Sequence, residues 1–168
     1  MSKIKILLVE DDPTIAEIIQ FYLSKFNDYE TTWVNNAEMA LTVANELQPD
    51  IFLLDIMLPG IDGLELCHRL RKTTYSPIIF ISAISDDETI INALNLGGDD
   101  YITKPFNCDV LRAKIQSNLR RIKFENETQT NQLLNFSFLG SIRFLMKLAD
   151  QTERLSCFLP SNTIFFSH

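Results

Sequence analysis

The segment that decides the fold is Asp50-Ile51-Phe52-Leu53-Leu54-Asp55-Ile56-Met57-Leu58-Pro59-Gly60. An almost wholly apolar run of strand length ends at Asp55, and a Pro-Gly turn follows shortly after it. Such a run is typical of a strand buried on both faces, as in a parallel sheet. Asp55 then lies at the carboxyl end of the strand, where open α/β sheets place their ligand sites. A lone Asp at such a position is often only a loop residue, so its role must be judged together with the residues at the other strand ends.

Working outward from this strand, apolar segments alternate with helical patterns along the chain. The predicted strands cover 4–9, 29–34, the run that ends at Asp55, 77–81 and 100–103. The first predicted helix begins at Pro13, and the other four cover 37–47, 64–71, 86–96 and 109–123. Five strands alternating with five helices over about 120 residues predict an α/β fold, a doubly wound parallel sheet with helices on both faces.

Right-handed crossovers leave few topologies for such a sheet, and we predict the flavodoxin-like strand order 2-1-3-4-5. Strands one and three are then neighbours at the point where the strand order reverses. Asp11, Asp12 and Asp55 are expected to meet in one crevice, and Ser82 and Lys104 arrive from the next two strand ends.

Three carboxylates in one crevice repel each other unless a cation lies among them. An oxygen-rich site without histidine or sulfur suits Mg²⁺. A cation-bound aspartate beside a fixed ammonium is arranged to meet a phosphoryl group, whose charge Mg²⁺ and Lys104 would neutralise. Asp55 is the candidate nucleophile, which would give an acyl phosphate, and the Ser82 hydroxyl can donate to a phosphoryl oxygen.

Composition narrows the class of protein further. The 168 residues carry a net charge of −7 and are 46% hydrophobic, as in a soluble globular protein for which neither free DNA nor an anionic membrane is an obvious partner. The three cysteines are far apart, so neither a zinc site nor a disulfide framework is indicated. A reduced, cytoplasmic compartment fits best. No stretch is long enough to span a bilayer.

Four spaced motifs resemble the receiver domain of two-component response regulators, and specifically the OmpR-like, winged-helix subfamily. The motifs are Glu10-Asp11-Asp12-Pro13, Asp55-Ile56-Met57-Leu58-Pro59-Gly60, Ser82-Ala83 and Gly98-Asp99-Asp100-Tyr101-Ile102-Thr103-Lys104-Pro105-Phe106. The resemblance covers about residues 3–122.

The resemblance implies that Asp55 accepts a phosphoryl group from a sensor histidine kinase and that Ser82 and Lys104 contact that group. It implies that the Tyr101 rotamer follows Ser82 and that the Lys104-Pro105 bond is cis. Beyond self-phosphorylation and autodephosphorylation at Asp55, no enzyme activity is implied. The groups implied around Mg²⁺ are Asp11, Asp12, Asp55 and the backbone carbonyl of Met57.

In the subfamily, the face formed by helix four, strand five and helix five makes an active homodimer through interlocking ion pairs. Lys114 stands where Arg is usual and is expected to pair with Asp99 or Asp100. Basic residues are common in the subfamily at the positions of Ile90, Asn92 and Gln116, so fewer ion pairs are expected on this face.

The composition shifts after the fifth helix. We predict a receiver domain at 1–122, a linker at 123–132 and a truncated or degraded remnant of a winged-helix DNA-binding domain at 133–168. From Glu125 onward the chain has three Lys/Arg against four Asp/Glu, so DNA binding by this chain is doubtful.

The predicted function is therefore a phosphorylation-activated response regulator whose parent role is transcription regulation. One alternative is a stand-alone adaptor that signals by protein contact without DNA. Another is a Mg²⁺-dependent phosphatase with an aspartyl nucleophile. That class usually carries a second Asp two residues after the nucleophile, where this chain has Met57.

Overall fold

The computed structural model describes residues 3–124, in which five strands alternate with five helices. The elements are β1 (Ile4–Val9), α1 (Pro13–Ser24), β2 (Tyr29–Val34), α2 (Ala37–Leu47), β3 (Ile51–Leu54), α3 (Gly63–Leu70), β4 (Ile78–Ser82), α4 (Asp87–Asn95), β5 (Asp100–Thr103) and α5 (108–124). Every predicted element is present. Helix α5 continues to 124, two residues into the predicted linker, and the rest of that linker and the predicted remnant at 133–168 lie outside the described residues.

The five strands form one parallel sheet in the order β2-β1-β3-β4-β5, which confirms the predicted doubly wound, flavodoxin-like topology. Strand β1 pairs with β2 on one side and with β3 on the other, so the chain reverses direction across the sheet at β1 and β3. The residues that follow these two strands therefore lie next to each other at one edge of the sheet.

The core lies in two layers, one on each face of the sheet. Because side chains alternate along a strand, Leu7 of β1 faces α2, α3 and α4, whereas Leu8 faces α1 and α5. The same alternation separates Phe52 from Leu53 in β3. Each fully buried side chain of this size contributes about 1.5–3 kcal/mol of hydrophobic stabilisation. Burial on both faces explains why β3, β4 and most of β1 are nearly continuous apolar runs.

A side-chain oxygen caps the first turn of four helices and so fixes where each one begins. It accepts a hydrogen bond of 2.8 Å from a backbone amide two or three residues later. The capping residues of α1 to α4 are Asp12, Asn36, Asp62 and Asp86. Among residues 3–124, no helix is both long enough and apolar enough to cross a bilayer.

Gly63 begins α3 against the backbone that follows β3. A Cβ atom at this position would lie 2.0 Å from the carbonyl oxygen of Asp55 and 2.8 Å from the Cα of Ile56. Because backbone rather than a flexible side chain must yield, we expect Gly63→Ala to lower the free energy of unfolding by about 3 kcal/mol or more. Urea denaturation followed by circular dichroism measures this loss.

Gly60, in the same loop, provides the matched control. Its φ of +78° is unfavourable for alanine, but an added Cβ would meet only Glu38 Oε1, at 3.5 Å. We therefore expect Gly60→Ala to cost only the left-handed backbone penalty, about 1 kcal/mol. Equal losses of unfolding free energy in the two variants would show that α3 packs less closely against the residues after β3 than the distances at Gly63 indicate.

Candidate functional site

Three carboxylates meet at the carboxyl ends of β1 and β3. One oxygen each from Glu10, Asp11 and Asp55 lies within 4.8 Å of the others. Glu10 and Asp55 are 1% and 4% exposed, whereas Asp11 is exposed to solvent. A hydrogen bond of 2.9 Å from the Asp55 amide to the carbonyl of Val9 joins the two strand ends. The cluster is therefore closed on the protein side and open to solvent at Asp11.

The ammonium of Lys104 neutralises the buried side of this cluster. Its Nζ lies 2.8 Å from both carboxylate oxygens of Glu10 and 2.5 Å from Oδ2 of Asp55. Lys104 follows β5, and its amide donates to the carbonyl of Ser82 at 2.8 Å, which holds it beside the end of β4. The Lys104-Pro105 bond is cis, as the family resemblance implied.

Burial acts on the titration of both partners in this ion pair. Burial raises the pKa of Glu10 to about 7, although the hydrogen bonds from Lys104 oppose that rise. Burial also disfavours the charged form of Lys104, but its hydrogen bonds to Asp55 and Glu10 outweigh that effect and hold the pKa of the ammonium above its usual value.

The structure differs from the sequence-based expectation at Asp12. Asp12 is exposed, and its Oδ1 accepts a hydrogen bond of 2.8 Å from the Thr14 amide, which caps α1. This bond holds the pKa of Asp12 below its usual range. The third carboxylate of the cluster is Glu10, which the sequence analysis did not select. Asp12 was placed in the crevice because it follows β1, the neighbour of β3, and its position after the strand does not show whether its side chain turns inward.

Met57 and Ser82 border the cluster from the two neighbouring strand ends. The Met57 amide donates to Oδ1 of Asp55 at 3.0 Å, so the Met57 peptide lies against the carboxylate while its side chain remains 59% exposed. Ser82 is buried at the end of β4, and its hydroxyl oxygen accepts from the Ile84 amide at 3.4 Å. The structure thus brings Asp55, Lys104, Ser82 and Met57 to one edge of the sheet.

Tyr101 lies on β5 and is linked to the loop that follows β4. Its hydroxyl donates to the carbonyl of Ile84 at 2.8 Å, and its ring lies 6.2 Å from that of Phe80. Partial burial raises the pKa of the Tyr101 phenol. The Ile84 amide also donates to the hydroxyl oxygen of Ser82, so one loop residue contacts both Ser82 and Tyr101.

Asp99, Asp100 and Lys114, near β5 and on α5, form ion pairs within the chain. Lys114 lies 2.6 Å from Asp100, which confirms one of the two pairings expected from the sequence. Asp99 pairs with Arg71 at 2.7 Å and also with Arg121, and it accepts from the Ile78 amide at 2.9 Å. Ion pairs between two copies through this face would therefore have to replace existing ones.

The donor set of the cluster fits a hard divalent cation. It consists of carboxylate oxygens without histidine or sulfur, and Asp11 leaves one side open to water. Mg²⁺ usually takes one or two carboxylates, retains several waters and accepts phosphate oxygens in the remaining positions.

The sequence profile of the response regulator receiver domain matches residues 6–116. The chain belongs to this family, and residues 6–116 match its receiver domain. Response regulators receive phosphate from sensor histidine kinases, and receiver domains bind Mg²⁺ at acidic residues.

Two relatives of known role are similar to the chain. It is 44% identical over 117 residues to the nisin biosynthesis regulatory protein NisR of Lactococcus lactis subsp. lactis. The matched segment covers 70% of this chain and 51% of NisR. It is 37% identical over 152 residues to the DNA-binding response regulator MtrA of Mycolicibacterium smegmatis. The matched segment covers 90% of this chain and 64% of MtrA. The chain thus spans between about half and two thirds of the length of these curated relatives.

Solved structures agree with the fold. The BeF3-activated N-terminal receiver domain of RstA from Klebsiella pneumoniae superposes with a TM-score of 0.66 at 39% identity. The superposition covers 69% of this chain and 98% of the RstA chain. The N-terminal domain of the nisin resistance regulator NsrR, a lantibiotic response regulator, has a TM-score of 0.63 at 41% identity and covers 70% of this chain and 99% of its own.

Proposed function

We propose that Asp55 accepts a phosphoryl group from the phosphohistidine of a sensor histidine kinase and that this changes the surface around Tyr101. The observation that carries the proposal is the pairing of a buried Asp55 with a fixed ammonium, at 2.5 Å from Lys104, beside two further carboxylates. A buried, paired nucleophile at a strand end of this fold is suited to phosphoryl transfer, in which positioning and charge neutralisation provide most of the catalysis.

Phosphoryl transfer forms one bond at Asp55 and breaks one bond at the donor histidine. A carboxylate oxygen of Asp55 attacks phosphorus while the bond from phosphorus to the imidazole nitrogen breaks, and the electron pair stays on that nitrogen. The product is an acyl phosphate at Asp55, which water later hydrolyses to regenerate the carboxylate. Lys104 is placed to balance the negative charge that the phosphoryl group adds. The Ser82 hydroxyl is placed to donate to one of the phosphoryl oxygens.

We propose that Asp11, Asp55 and the backbone carbonyl of Met57 hold Mg²⁺, with Glu10 completing the acidic cluster. When bound, Mg²⁺ would neutralise charge on the phosphoryl oxygens. Asp12, which we also selected as a ligand, stays a prediction. Its carboxylate would have to give up the cap of α1, or reach the metal through water, in order to take part.

Dependence on Mg²⁺ tests this proposal. With acetyl phosphate as donor, we expect one phosphoryl group per chain and a rate that rises with Mg²⁺. Because Asp11→Asn removes one anionic oxygen, we expect it to raise the Mg²⁺ concentration for half-maximal rate by at least about tenfold, the lower end of what loss of even an outer partner of a metal ligand costs. Asp28→Asn, an exposed acid before β2, is the control. The same Mg²⁺ dependence in Asp11→Asn and in the wild type would contradict the assignment.

We propose transcription regulation as the parent role, supported by the names of NisR and MtrA. Direct DNA binding by this chain stays doubtful because residues from Glu125 onward carry three Lys/Arg against four Asp/Glu. Signalling by protein contact, as a stand-alone adaptor, is the alternative. A homodimer through α4, β5 and α5 stays a prediction. Its support is the half-exposed apolar side chains of Ile91 and Leu94 on α4 and Val110 on α5.

We propose a cytoplasmic location. Cys67 and Cys108 are both free thiols in the described part of the chain, as expected in a reducing compartment.

A further inference from the structure

Glu10 has a partner for each of its hydrogen-bonding atoms. Its amide donates to the carbonyl of Val34 at 3.1 Å, and both of its carboxylate oxygens accept from Lys104 at 2.8 Å. Its backbone carbonyl oxygen accepts from the indole Nε1–H of Trp33 at 2.8 Å. Trp33 and Val34 both belong to β2, the edge strand of the sheet, so β2 fixes the Glu10 backbone at its amide and at its carbonyl.

The hydrogen bond from the Trp33 indole to the Glu10 carbonyl lies beyond the last residue pair of the β1–β2 ladder. The paired register of these strands ends at Val9 and Val34, so the Glu10 carbonyl follows the last ladder pair, and the indole supplies its donor. The ring itself is held in place, because Trp33 is half-buried and packs against the core layer that contains Leu8 and Ile19. A rigid side chain is thus attached to the peptide that leads into the site.

We propose that Trp33 is a positioning residue for the acidic site. The carbonyl that it holds belongs to the peptide bond between Glu10 and Asp11, so the indole fixes the orientation of the link between two of the three clustered carboxylates. The inference rests on the proposed function, since it concerns how that site holds a divalent cation. Without the indole donor, the peptide between Glu10 and Asp11 can rotate. The carboxylates of the cluster are then held less firmly in the arrangement that binds a cation, so cation binding weakens.

Trp33→Phe removes the donor and keeps an aromatic ring, and it is the variant that tests the proposal. Mg²⁺ binding is measured by titration of backbone amide chemical shifts at Asp11 and Met57. We expect the Mg²⁺ dissociation constant to rise about tenfold, the lower end of the range for loss of an outer partner of a metal ligand.

Ser76→Ala is the matched control. The Ser76 hydroxyl also donates to a backbone carbonyl, that of Pro49, at 2.8 Å. Ser76 precedes β4 and Pro49 precedes β3, so this bond lies at the opposite end of the sheet from Glu10. We expect the Mg²⁺ dissociation constant of Ser76→Ala to equal that of the wild type.

The outcomes distinguish failure of this inference alone from failure of the proposed metal site. Wild-type affinity in Trp33→Phe would overturn the positioning role and leave the proposed function intact. An equal weakening in Trp33→Phe and Ser76→Ala would also overturn it, because general destabilisation would then be the cause. Failure of the wild type to bind Mg²⁺ would overturn the proposed metal site and this inference together.

A measurement on the wild type covers the case in which Trp33→Phe does not fold. The chain has one tryptophan, so the indole N–H of Trp33 gives a single resonance. We expect this resonance to exchange slowly with solvent and to shift during the Mg²⁺ titration with the same midpoint as the Asp11 amide. An indole resonance that does not respond to Mg²⁺ would overturn the proposal.

Discussion

Asp55→Asn is expected to reduce phosphoryl incorporation from acetyl phosphate to background. The carboxamide is neutral and lacks the anionic oxygen that attacks phosphorus, so no acyl phosphate can form. The fold should survive the change, because the carboxamide oxygen can still accept from the Met57 amide, as Oδ1 of Asp55 does at 3.0 Å. The measurement is the intact mass of the protein after incubation with acetyl phosphate and Mg²⁺, together with a circular dichroism spectrum.

Asp28→Asn is the control for charge, since it also removes one carboxylate but lies before β2 and away from the site. It should take up one phosphoryl group at the wild-type rate. Uptake by Asp55→Asn at that same rate would show that another residue is the acceptor.

Lys104→Met is expected to affect phosphorylation and metal binding in opposite directions. The Lys104 side chain is 13% exposed, and its ammonium contacts oxygens of both Glu10 and Asp55, so it competes with a cation for two of the three carboxylates. Its removal leaves those carboxylates without a counter-charge, and Mg²⁺ should bind more tightly. The rate of phosphoryl incorporation should fall by about 100-fold, the usual cost of removing one group that stabilises charge in a transition state.

Lys114→Met is the matched control, because Lys114 is also ion-paired, at 2.6 Å from Asp100, but lies on α5 away from the cluster. It should leave both the Mg²⁺ affinity and the phosphorylation rate unchanged. Weaker or unchanged Mg²⁺ binding in Lys104→Met would mean that the ammonium does not compete for the carboxylates. Loss of the folded circular dichroism signal would mean that Lys104 acts on the fold rather than on the site.

The topology could be predicted from the sequence because the physical signal is strong there. Strands buried on both faces are apolar, and the runs at 6–9, 51–54 and 78–81 show this directly. Polar residues directly after such runs indicated the edge where Asp55, Ser82 and Lys104 gather. The alternation of strands and helices indicated a parallel sheet, and the order 2-1-3-4-5 was chosen among the few topologies that right-handed crossovers allow.

The identity of the third carboxylate could not be predicted in the same way. Glu10, Asp11 and Asp12 are consecutive, and composition does not distinguish an inward side chain from a helix cap. Asp12 before Pro13 is the arrangement expected of an N-cap before a proline at the first helical position, and this signal could have removed it from the predicted cluster. Glu10 directly follows the last ladder residue of β1, and its carboxylate lies inward against the ammonium of Lys104.

Contacts between distant side chains were also beyond the reach of the sequence. Nothing in the spacing of Trp33 and Glu10 indicates that an indole would hold the backbone carbonyl of the site. The sequence limited the partner of Lys114 to Asp99 or Asp100, because the choice depends on side-chain directions at the start of β5. Such contacts depend on the packing of whole elements rather than on local patterns.

The position of the phosphoryl group in the wild-type chain decides whether Asp55 is the acceptor. Protein phosphorylated with acetyl phosphate and Mg²⁺ is reduced with borohydride, which converts an aspartyl phosphate to homoserine, and its peptides are sequenced by mass spectrometry. We predict homoserine at position 55, with Asp11 and Asp12 unmodified. Homoserine at a different position, or an unmodified Asp55 in fully phosphorylated protein, would contradict the proposed function.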